Sequence, residues 1–248
     1  DSLQIMSFGD PEPSSATSLL SHFRSRATLE PLLLPLLRSS LRKYHDAVGR
    51  HDARLTVLVT YDPSRDDVIT ATHVAALPDV NHAGSAVTCD VAGAPRNAAA
   101  AKDSQWVRDR AALEALKSRD ANELLLCDAA TGDIYEGLTS NFFAVDARGA
   151  IETAPDGDVL AGTMRALALG RCAEIGISVR HRHPNVAEAA TWRGAFITST
   201  SRGVMPVGRI RILETGHVVD VPEDDGVRRL AADVAAHMAD RSQRILDE

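Results

Sequence analysis

The stretch EGLTSNFF, residues 136–143, places an acid, a glycine, two hydroxyl residues and an asparagine inside a series of predicted β-strands. The apolar segment 124–127 and the turn-forming cluster 128–133 precede it, and an apolar strand, residues 142–145, completes it. Strands favour β-branched and aromatic residues, so small polar residues at this density are unusual here. They indicate that backbone and side chains approach a polar group at this point.

The bulk composition is that of a globular protein that can bury a core. Of the 248 residues, 44% are hydrophobic and 25% are charged. The net charge of −7 argues against nucleic acid as the main partner. No apolar run approaches the ~20 residues of a membrane-spanning helix, so no membrane partner is expected. Three cysteines without metal-like spacing indicate reduced thiols, and we expect a cytoplasmic protein, or an organellar one after removal of a targeting segment.

The periodicity of apolar residues predicts two α+β halves. Residues 93–101 are rich in Gly, Pro and Ala, and we predict a linker at 96–102 between an N-terminal domain, 1–95, and a larger C-terminal domain, 103–248. In the first half we predict a helix over 32–45 and strands over 55–61, 68–76 and 85–91. In the second half we predict helices over 106–118, 163–174 and 224–242, with strands at 123–127, 135, 142–145, 151–153, 177–181, 195–198 and 204–207.

Four polar clusters occur in the second half: Lys102, residues 136–141, the glycine turn 160–165 and the hydroxyl run 198–201. The glycine turn opens directly into a predicted helix, whose free N–H groups and dipole suit a phosphate. A hydroxyl cluster after a strand offers further donors to an anion. Taken singly, these are also features of an ordinary helix start, a polar loop, a solvated lysine and a hydrogen-bonded turn. Together, a lysine, an acid and two phosphate cradles meet the requirements of pyridoxal phosphate.

The order and spacing of these clusters resemble the class IV aminotransferases, the fold-type IV pyridoxal-phosphate enzymes. That family includes branched-chain and D-amino-acid aminotransferases and aminodeoxychorismate lyase. Residues 136–143 are similar to its motif E-G-x-x-S-N-x-F, and residues 160–165 to L-x-G-I-T/M-R. Residues 196–207 are similar to F-x-T-S/G-T…P-V, and residues 102–106 stand where the family has K-x-x-N-Y/R.

The resemblance implies a role for each cluster. Lys102 would hold the cofactor covalently and, once substrate displaces it, move the proton at the substrate's Cα. Glu136 would contact the pyridine nitrogen and keep it protonated. The remaining expected cofactor contacts are Ser140 and Asn141 at the turn, Leu160 on the ring, and Gly162, Thr163, Met164, Ser199 and Thr200 around the phosphate.

The resemblance also implies an α+β fold of two domains with pyridoxal 5′-phosphate in the cleft between them. It implies a homodimer that transfers an amino group between an amino acid, branched-chain or D-, and a 2-oxo acid. Two alternatives stay open at this point: a C–C lyase similar to aminodeoxychorismate lyase, and a divergent relative without catalysis.

Some positions depart from the family pattern. Gln105 replaces the asparagine three residues after the lysine, and Met164 offers only its backbone N–H to a phosphate. The upstream phosphate-binding arginine has only an imperfect counterpart, in residues 20–26, where the spacing differs by one. His181 and His183 have the i, i+2 spacing that places two residues on one face of a strand, and an exposed edge strand explains them better than a metal site.

Overall fold

Both helices and strands occur in the computed structural model, which describes residues 2–6, 12–77, 86–242 and 245–246 of the chain. This mixed composition confirms the α+β class. The chain forms two compact units, Asp1–Asp79 with Ser242–Glu248, and Val80–Arg241. The division into domains 1–95 and 103–248, joined by a linker at 96–102, stays a prediction.

The first unit combines helices with a β-hairpin. Its elements are α1 (Ser2–Ile5), α2 (Ser14–Arg24), α3 (Arg26–Val48), β1 (Ala53–Asp62) and β2 (Asp67–Ala76). The two strands pair antiparallel along their whole length. The predicted helix and both strands are confirmed, and α3 begins six residues earlier than the prediction. Helix α2 was not predicted, because its serines weaken the apolar periodicity.

The second unit is built around one large sheet. Its described strands are β3 (Val87–Ala92), β4 (Glu123–Cys127), β5 (Ile134–Gly137), β6 (Asn141–Val145), β7 (Ile151–Thr153), β8 (Val179–His181), β9 (Gly194–Ser199), β10 (Gly203–Ile212) and β11 (Val218–Asp220). Within the described chain they follow the order β11-β10-β3-β4-β5-β6-β7-β8, and β9 pairs with β10 and β6. The helices are α4 (Gln105–Asp109), α5 (Ala111–Leu116), α6 (Thr163–Glu174) and α7 (Asp225–Arg241), with a 3₁₀ helix at Val186–Thr191. The predicted strand over 85–91 is thus observed from Val87, and Ser85 lies outside the described residues.

Strand β6 shows how the sheet divides its side chains between two cores. Phe142 and Ala144 pack in one core, whereas Phe143 and Val145 pack in the other, together with residues of α6 and α7. Phe143 stacks on Phe196 of β9 with ring centroids 4.5 Å apart. Since side chains alternate along a strand, Asn141 lies on the same face as Phe143.

Two elements of the second unit differ from the prediction. The single helix predicted over 106–118 is interrupted at Arg110, where ψ is −8°, so that α4 and α5 are separate short helices. Strand β10 extends beyond residue 207, because it pairs first with β9 and then, from Val207 onward and with a bulge between Val207 and Arg209, with β3. Among the described residues, no helix combines the length and apolar character that crossing a membrane requires.

Candidate active site

Three polar side chains form one row across the sheet. In register, Glu136 of β5 is opposite Asn141 of β6, and Asn141 is opposite Thr198 of β9. Residues opposed in antiparallel strands project on the same face, so the three side chains are neighbours. All three are buried. The small polar residues of the EGLTSNFF stretch therefore line a polar strip within an otherwise apolar face.

This row holds the turn that leads into α6. The Leu160 N–H donates to Glu136 Oε2 at 3.0 Å, and Asn141 Nδ2 donates to the Leu160 carbonyl at 2.8 Å. A Cβ added to Gly162 would lie 2.4 Å from Asn141 Oδ1. Because that distance is below any normal contact, the close approach of the turn to Asn141 requires glycine at position 162.

Helix α6 presents its N-terminus at this turn. Among the described residues, no side chain caps this N-terminus. Its first-turn N–H groups therefore remain available for an anion, with the positive end of the helix dipole behind them. Thr163 is exposed, whereas the Met164 side chain is buried in the core, which leaves only its backbone N–H for a ligand.

The hydroxyl run lies next to the same asparagine. Thr198, the cross-strand partner of Asn141, is followed directly by Ser199, where β9 ends, and by the exposed Thr200. Both predicted phosphate cradles are thus adjacent to Asn141, one through Gly162 and the other through Thr198. The arrangement supports a single anion site between them.

Arg96 is a component of the site that sequence reasoning missed. Its Nε donates to Glu136 Oε1 at 2.7 Å, and both side chains are about 95% shielded from solvent, with exposures of 6% and 5%. Its Nη1 donates to the Ala101 carbonyl at 3.1 Å and its Nη2 to the Ala99 carbonyl. The guanidinium also lies 5.4 Å from the centroid of the Trp106 ring. No local pattern marks this arginine, because its partner is forty residues away.

Lys102 follows Ala101 directly, at the end of the segment that Arg96 binds. The residue is exposed, yet neighbouring protein removes enough water from the amine to lower its pKa, and the positive charges of Arg96 and Arg110 lower it further. Glu136 acts in the opposite direction. A lowered pKa provides more of the unprotonated amine, which is the form that attacks a carbonyl carbon.

Glu136 experiences two opposing influences. Burial is the largest of these influences and leaves the pKa of its carboxyl group above the ordinary value, although the hydrogen bond and charge of Arg96, the Leu160 N–H and the charge of Lys102 all act to lower it. A carboxylate with these donors is held ready to accept a hydrogen bond from a protonated ring nitrogen.

The Ser140 side chain contacts Glu123, whereas Glu136 and Asn141 contact Leu160. The Ser140 hydroxyl donates to Glu123 Oε2 at 2.8 Å. Glu123 lies in β4 and is itself buried, a second carboxylate that the sequence did not single out. Ser140 thus contributes by fixing the turn that carries Glu136 and Asn141.

Arg24 belongs to residues 20–26, the imperfect counterpart of the family's arginine segment, and its contacts lie inside the first unit. It forms an ion pair with Glu12 at 2.8 Å and donates to the carbonyls of Leu3 at 2.7 Å and Met6 at 2.9 Å. These contacts occupy the guanidinium. In the described ranges, no three His, Cys, Asp or Glu side chains cluster as a metal site would require, and His181 ends the edge strand β8.

The residues present fit pyridoxal 5′-phosphate. An uncapped helix N-terminus beside a hydroxyl turn suits its phosphate, a buried carboxylate suits its ring nitrogen, and a lysine with a lowered pKa suits its aldehyde. Gly162, which has no Cβ, lets the backbone of the turn lie close to Asn141.

Comparison with known proteins agrees with this chemistry. The family model described as amino-transferase class IV matches residues 25–210. No protein with a curated description matches the chain significantly.

Several solved structures share the fold. A hypothetical aminotransferase from Mycobacterium tuberculosis, in its apo form, has a TM-score of 0.72 and 14% identity over 94% of this chain and 84% of that one. A branched-chain aminotransferase from Thermoproteus uzoniensis with norvaline has a TM-score of 0.66 and 18% identity, over 86% of this chain and 73% of its own. The branched-chain amino acid aminotransferase from Escherichia coli has a TM-score of 0.62 and 17% identity, with 87% and 73% covered. At these identities, the likeness concerns the fold.

The family match extends over most of the chain and includes the segments that carry Lys102, Glu136 and the α6 turn. The mixed fold agrees with that of the family's solved members. The chain therefore belongs to the class IV aminotransferases, a family of enzymes that use pyridoxal 5′-phosphate as cofactor.

Proposed function

We propose that this enzyme transfers an amino group between an amino acid and a 2-oxo acid, and that Lys102 and Glu136 are the residues on which the reaction depends. The observation that carries the proposal is the set of contacts around Glu136. One carboxylate oxygen accepts from Arg96, which binds the Lys102 segment, and the other accepts from Leu160, which precedes the α6 turn. The acid thus lies between the proposed covalent site and the proposed phosphate site.

Each residue has a distinct task in this proposal. Pyridoxal phosphate, when bound, supplies an electron sink for the electron pair released at the substrate's Cα. Lys102 would accept the Cα proton and return a proton during the second half of the transfer. Glu136 would hold a proton at the ring nitrogen, and Arg96 would keep Glu136 ionised. The backbone of Gly162, Thr163 and Met164 would bind the phosphate together with the hydroxyls of Ser199 and Thr200, with Leu160 on the ring.

For the substrate, we infer a branched-chain or D-amino acid as donor. The similar protein from Thermoproteus uzoniensis is a branched-chain aminotransferase with norvaline bound, and the Mycobacterium tuberculosis protein has a form with α-ketoglutarate and pyridoxamine phosphate. These compounds belong to those two proteins, and the shared fold makes them the first compounds to test here. A cytoplasmic location is part of the same proposal.

For the assembly, we propose a homodimer. The outer face of the β1–β2 hairpin exposes two large apolar side chains, Leu58 at 43% and Ile69 at 39%. A two-stranded sheet leaves one face without cover from its own helices, and apolar residues on such a face favour association. Light scattering at micromolar concentration should give about twice the 26.5 kDa of one chain.

The function is tested by activity screening on the purified protein supplied with pyridoxal phosphate. Each donor of a panel of L- and D-amino acids is incubated with 2-oxoglutarate, and glutamate formation is measured. We expect turnover with at least one branched-chain or D-amino acid, its loss in Lys102→Ala, and its retention in the matched control Lys117→Ala. Pyruvate release from aminodeoxychorismate without any amino acceptor would instead identify a lyase. A protein that binds the cofactor but turns over none of these compounds would contradict the proposal.

A further inference from the structure

We propose that Glu123 and Arg202 position the phosphate-binding side of the cofactor site without touching the cofactor. The inference rests on the proposed placement of the phosphate between the α6 turn and residues 199–200. The pair joins two turns that are far apart in the sequence, one after β5 and one after β9. We name this pair and its partners, Thr139, Ser140 and Ser199, the turn clamp.

Glu123 is an ionisable residue in a strand whose five residues are all buried. A buried carboxylate is costly unless donors surround it. Here, Oε2 accepts from Thr139 Oγ1 and from Ser140 Oγ, both at 2.8 Å, and from Arg202 Nη2. Oε1 accepts from the Leu124 N–H at 3.1 Å. This concentration of donors on one carboxylate holds the turn that immediately precedes Asn141.

Arg202 extends the clamp to the second turn. Its Nη2 also donates to Thr139 Oγ1 at 2.9 Å, its Nη1 to the Asn122 carbonyl at 3.3 Å, and its Nε to Ser199 Oγ at 3.3 Å. Since Ser199 Oγ accepts from the guanidinium, its own O–H is left to donate elsewhere. This contact holds the end of β9, next to the phosphate proposed between the α6 turn and residues 199–200.

A glycine provides independent support for the clamp. A Cβ on Gly137 would lie 2.4 Å from Ser140 Oγ and 2.7 Å from Glu123 Cγ. The residue is therefore glycine because the clamp occupies the space beside it. Gly137 follows Glu136 directly, so the clamp also fixes the backbone from which Glu136 projects toward the opposite side.

The opposite charges of Glu123 and Arg202 allow the pair to hold the two turns near the phosphate without contacting the cofactor. A lone carboxylate at this position would repel a phosphate, and Arg202 removes that repulsion by pairing with it. A guanidinium can bind both turns at once because its donors form a rigid planar fork, whereas the ammonium of lysine is a single point charge. We therefore expect that lysine at position 202, which keeps the positive charge, cannot replace arginine.

The test measures binding of two probes to the apoprotein: pyridoxal phosphate and pyridoxal, which lacks the phosphate. In Arg202→Met and Arg202→Lys, we expect the Kd for pyridoxal phosphate to rise about ten-fold, with the Kd for pyridoxal unchanged. Arg182→Met is the matched control, because Arg182 also pairs with a buried glutamate, Glu152, at 2.8 Å. It should change neither Kd.

Three results would overturn the inference: an unchanged Kd for pyridoxal phosphate in folded Arg202→Met, an equal rise for both probes, or full rescue by lysine. If Arg202→Met does not fold, the double variant Glu123→Gln, Arg202→Met removes both charges and is measured in its place, with the same two criteria. A wild-type protein that fails to bind pyridoxal phosphate would contradict the proposed function instead, so the two failures are distinguishable.

Discussion

Arg96 Nε lies 2.7 Å from Glu136 Oε1, and the same guanidinium binds the backbone of the segment that ends at Lys102. One buried arginine therefore connects the lysine and the acid of the proposed reaction. A buried ion pair of this kind adds little net stability over an apolar pair, but loss of one partner leaves the other as an uncompensated charge.

Replacement of Arg96 by methionine tests this connection. Arg96→Met should reduce the free energy of unfolding by about 3–5 kcal/mol, because Glu136 would remain buried without its ion-pair partner. The double variant Arg96→Met, Glu136→Gln should recover part of that loss. Urea unfolding of the apoproteins measures both values, and equal stability of wild type and Arg96→Met would contradict the coupling.

Replacement of Glu136 by glutamine should separate binding from turnover. The amide retains the shape of the carboxylate but no longer stabilises a protonated ring nitrogen, so Glu136→Gln should still bind pyridoxal phosphate while kcat falls by orders of magnitude. Cofactor content is read from absorbance and kcat from glutamate formation. A variant with unchanged kcat would remove this role from Glu136.

Replacement of Thr200 by valine tests the hydroxyl side of the phosphate site. Thr200→Val should weaken pyridoxal-phosphate binding by about 1–3 kcal/mol, the loss expected when a charged acceptor loses one donor. Thr191→Val is the control, since Thr191 lies in the 3₁₀ helix and its hydroxyl donates to the Glu188 carbonyl. If Thr200→Val binds as tightly as wild type, the phosphate lies elsewhere.

Replacement of Gly162 by alanine tests the α6 side of the same site. The added Cβ would meet Asn141 Oδ1 at 2.4 Å, so the turn or the Asn141 side chain must shift, and either shift disturbs the bond from Asn141 Nδ2 to the Leu160 carbonyl. We expect weaker binding of pyridoxal phosphate in Gly162→Ala. Gly170→Ala, in the middle of α6, is the matched control, because its new Cβ meets nothing within 4 Å beyond its chain neighbours and the backbone of its own helix. Equal affinities in the two variants would argue against the α6 turn as a phosphate ligand.

The pH dependence of cofactor attachment tests the environment of Lys102. Burial, Arg96 and Arg110 lower the pKa of its amine, so the unprotonated form, which reacts, appears at lower pH than for an exposed lysine with a pKa near ~10.4. The rate of attachment should therefore rise with pH through a midpoint below that value. Arg110→Gln removes one positive charge and should move the midpoint upward. A midpoint that stays unchanged in Arg110→Gln would show that Arg110 does not act on Lys102.

The sequence predicted the parts of the site that local patterns encode. Residues 136–143 showed small polar residues within a strand pattern, and strand alternation and pairing place two of them, Glu136 and Asn141, in one polar row. Helix α6 begins and ends as predicted, at Thr163 and Glu174, because a glycine turn precedes it and Gly176 follows it. In both places, the signal lies within a few residues of the structure it predicts.

Long-range pairs were not predictable in this way. Arg96 and Glu136 are forty residues apart, and Glu123 and Arg202 are seventy-nine apart. Neither pair leaves a periodic signal, since each depends on how the strands of the sheet are ordered. Strand β10 was predicted too short for the same reason, because its second half is stabilised by pairing with β3.

The most direct test of whether Lys102 holds the cofactor is peptide mass mapping after borohydride reduction of the protein with pyridoxal phosphate. The chain has only three lysines, Lys43, Lys102 and Lys117, so the assignment is unambiguous. We predict a pyridoxyl-phosphate mass increase on the peptide that contains Lys102 and none on the peptides with Lys43 or Lys117. An adduct on either of those two lysines in place of Lys102, or no adduct at all, would contradict this prediction.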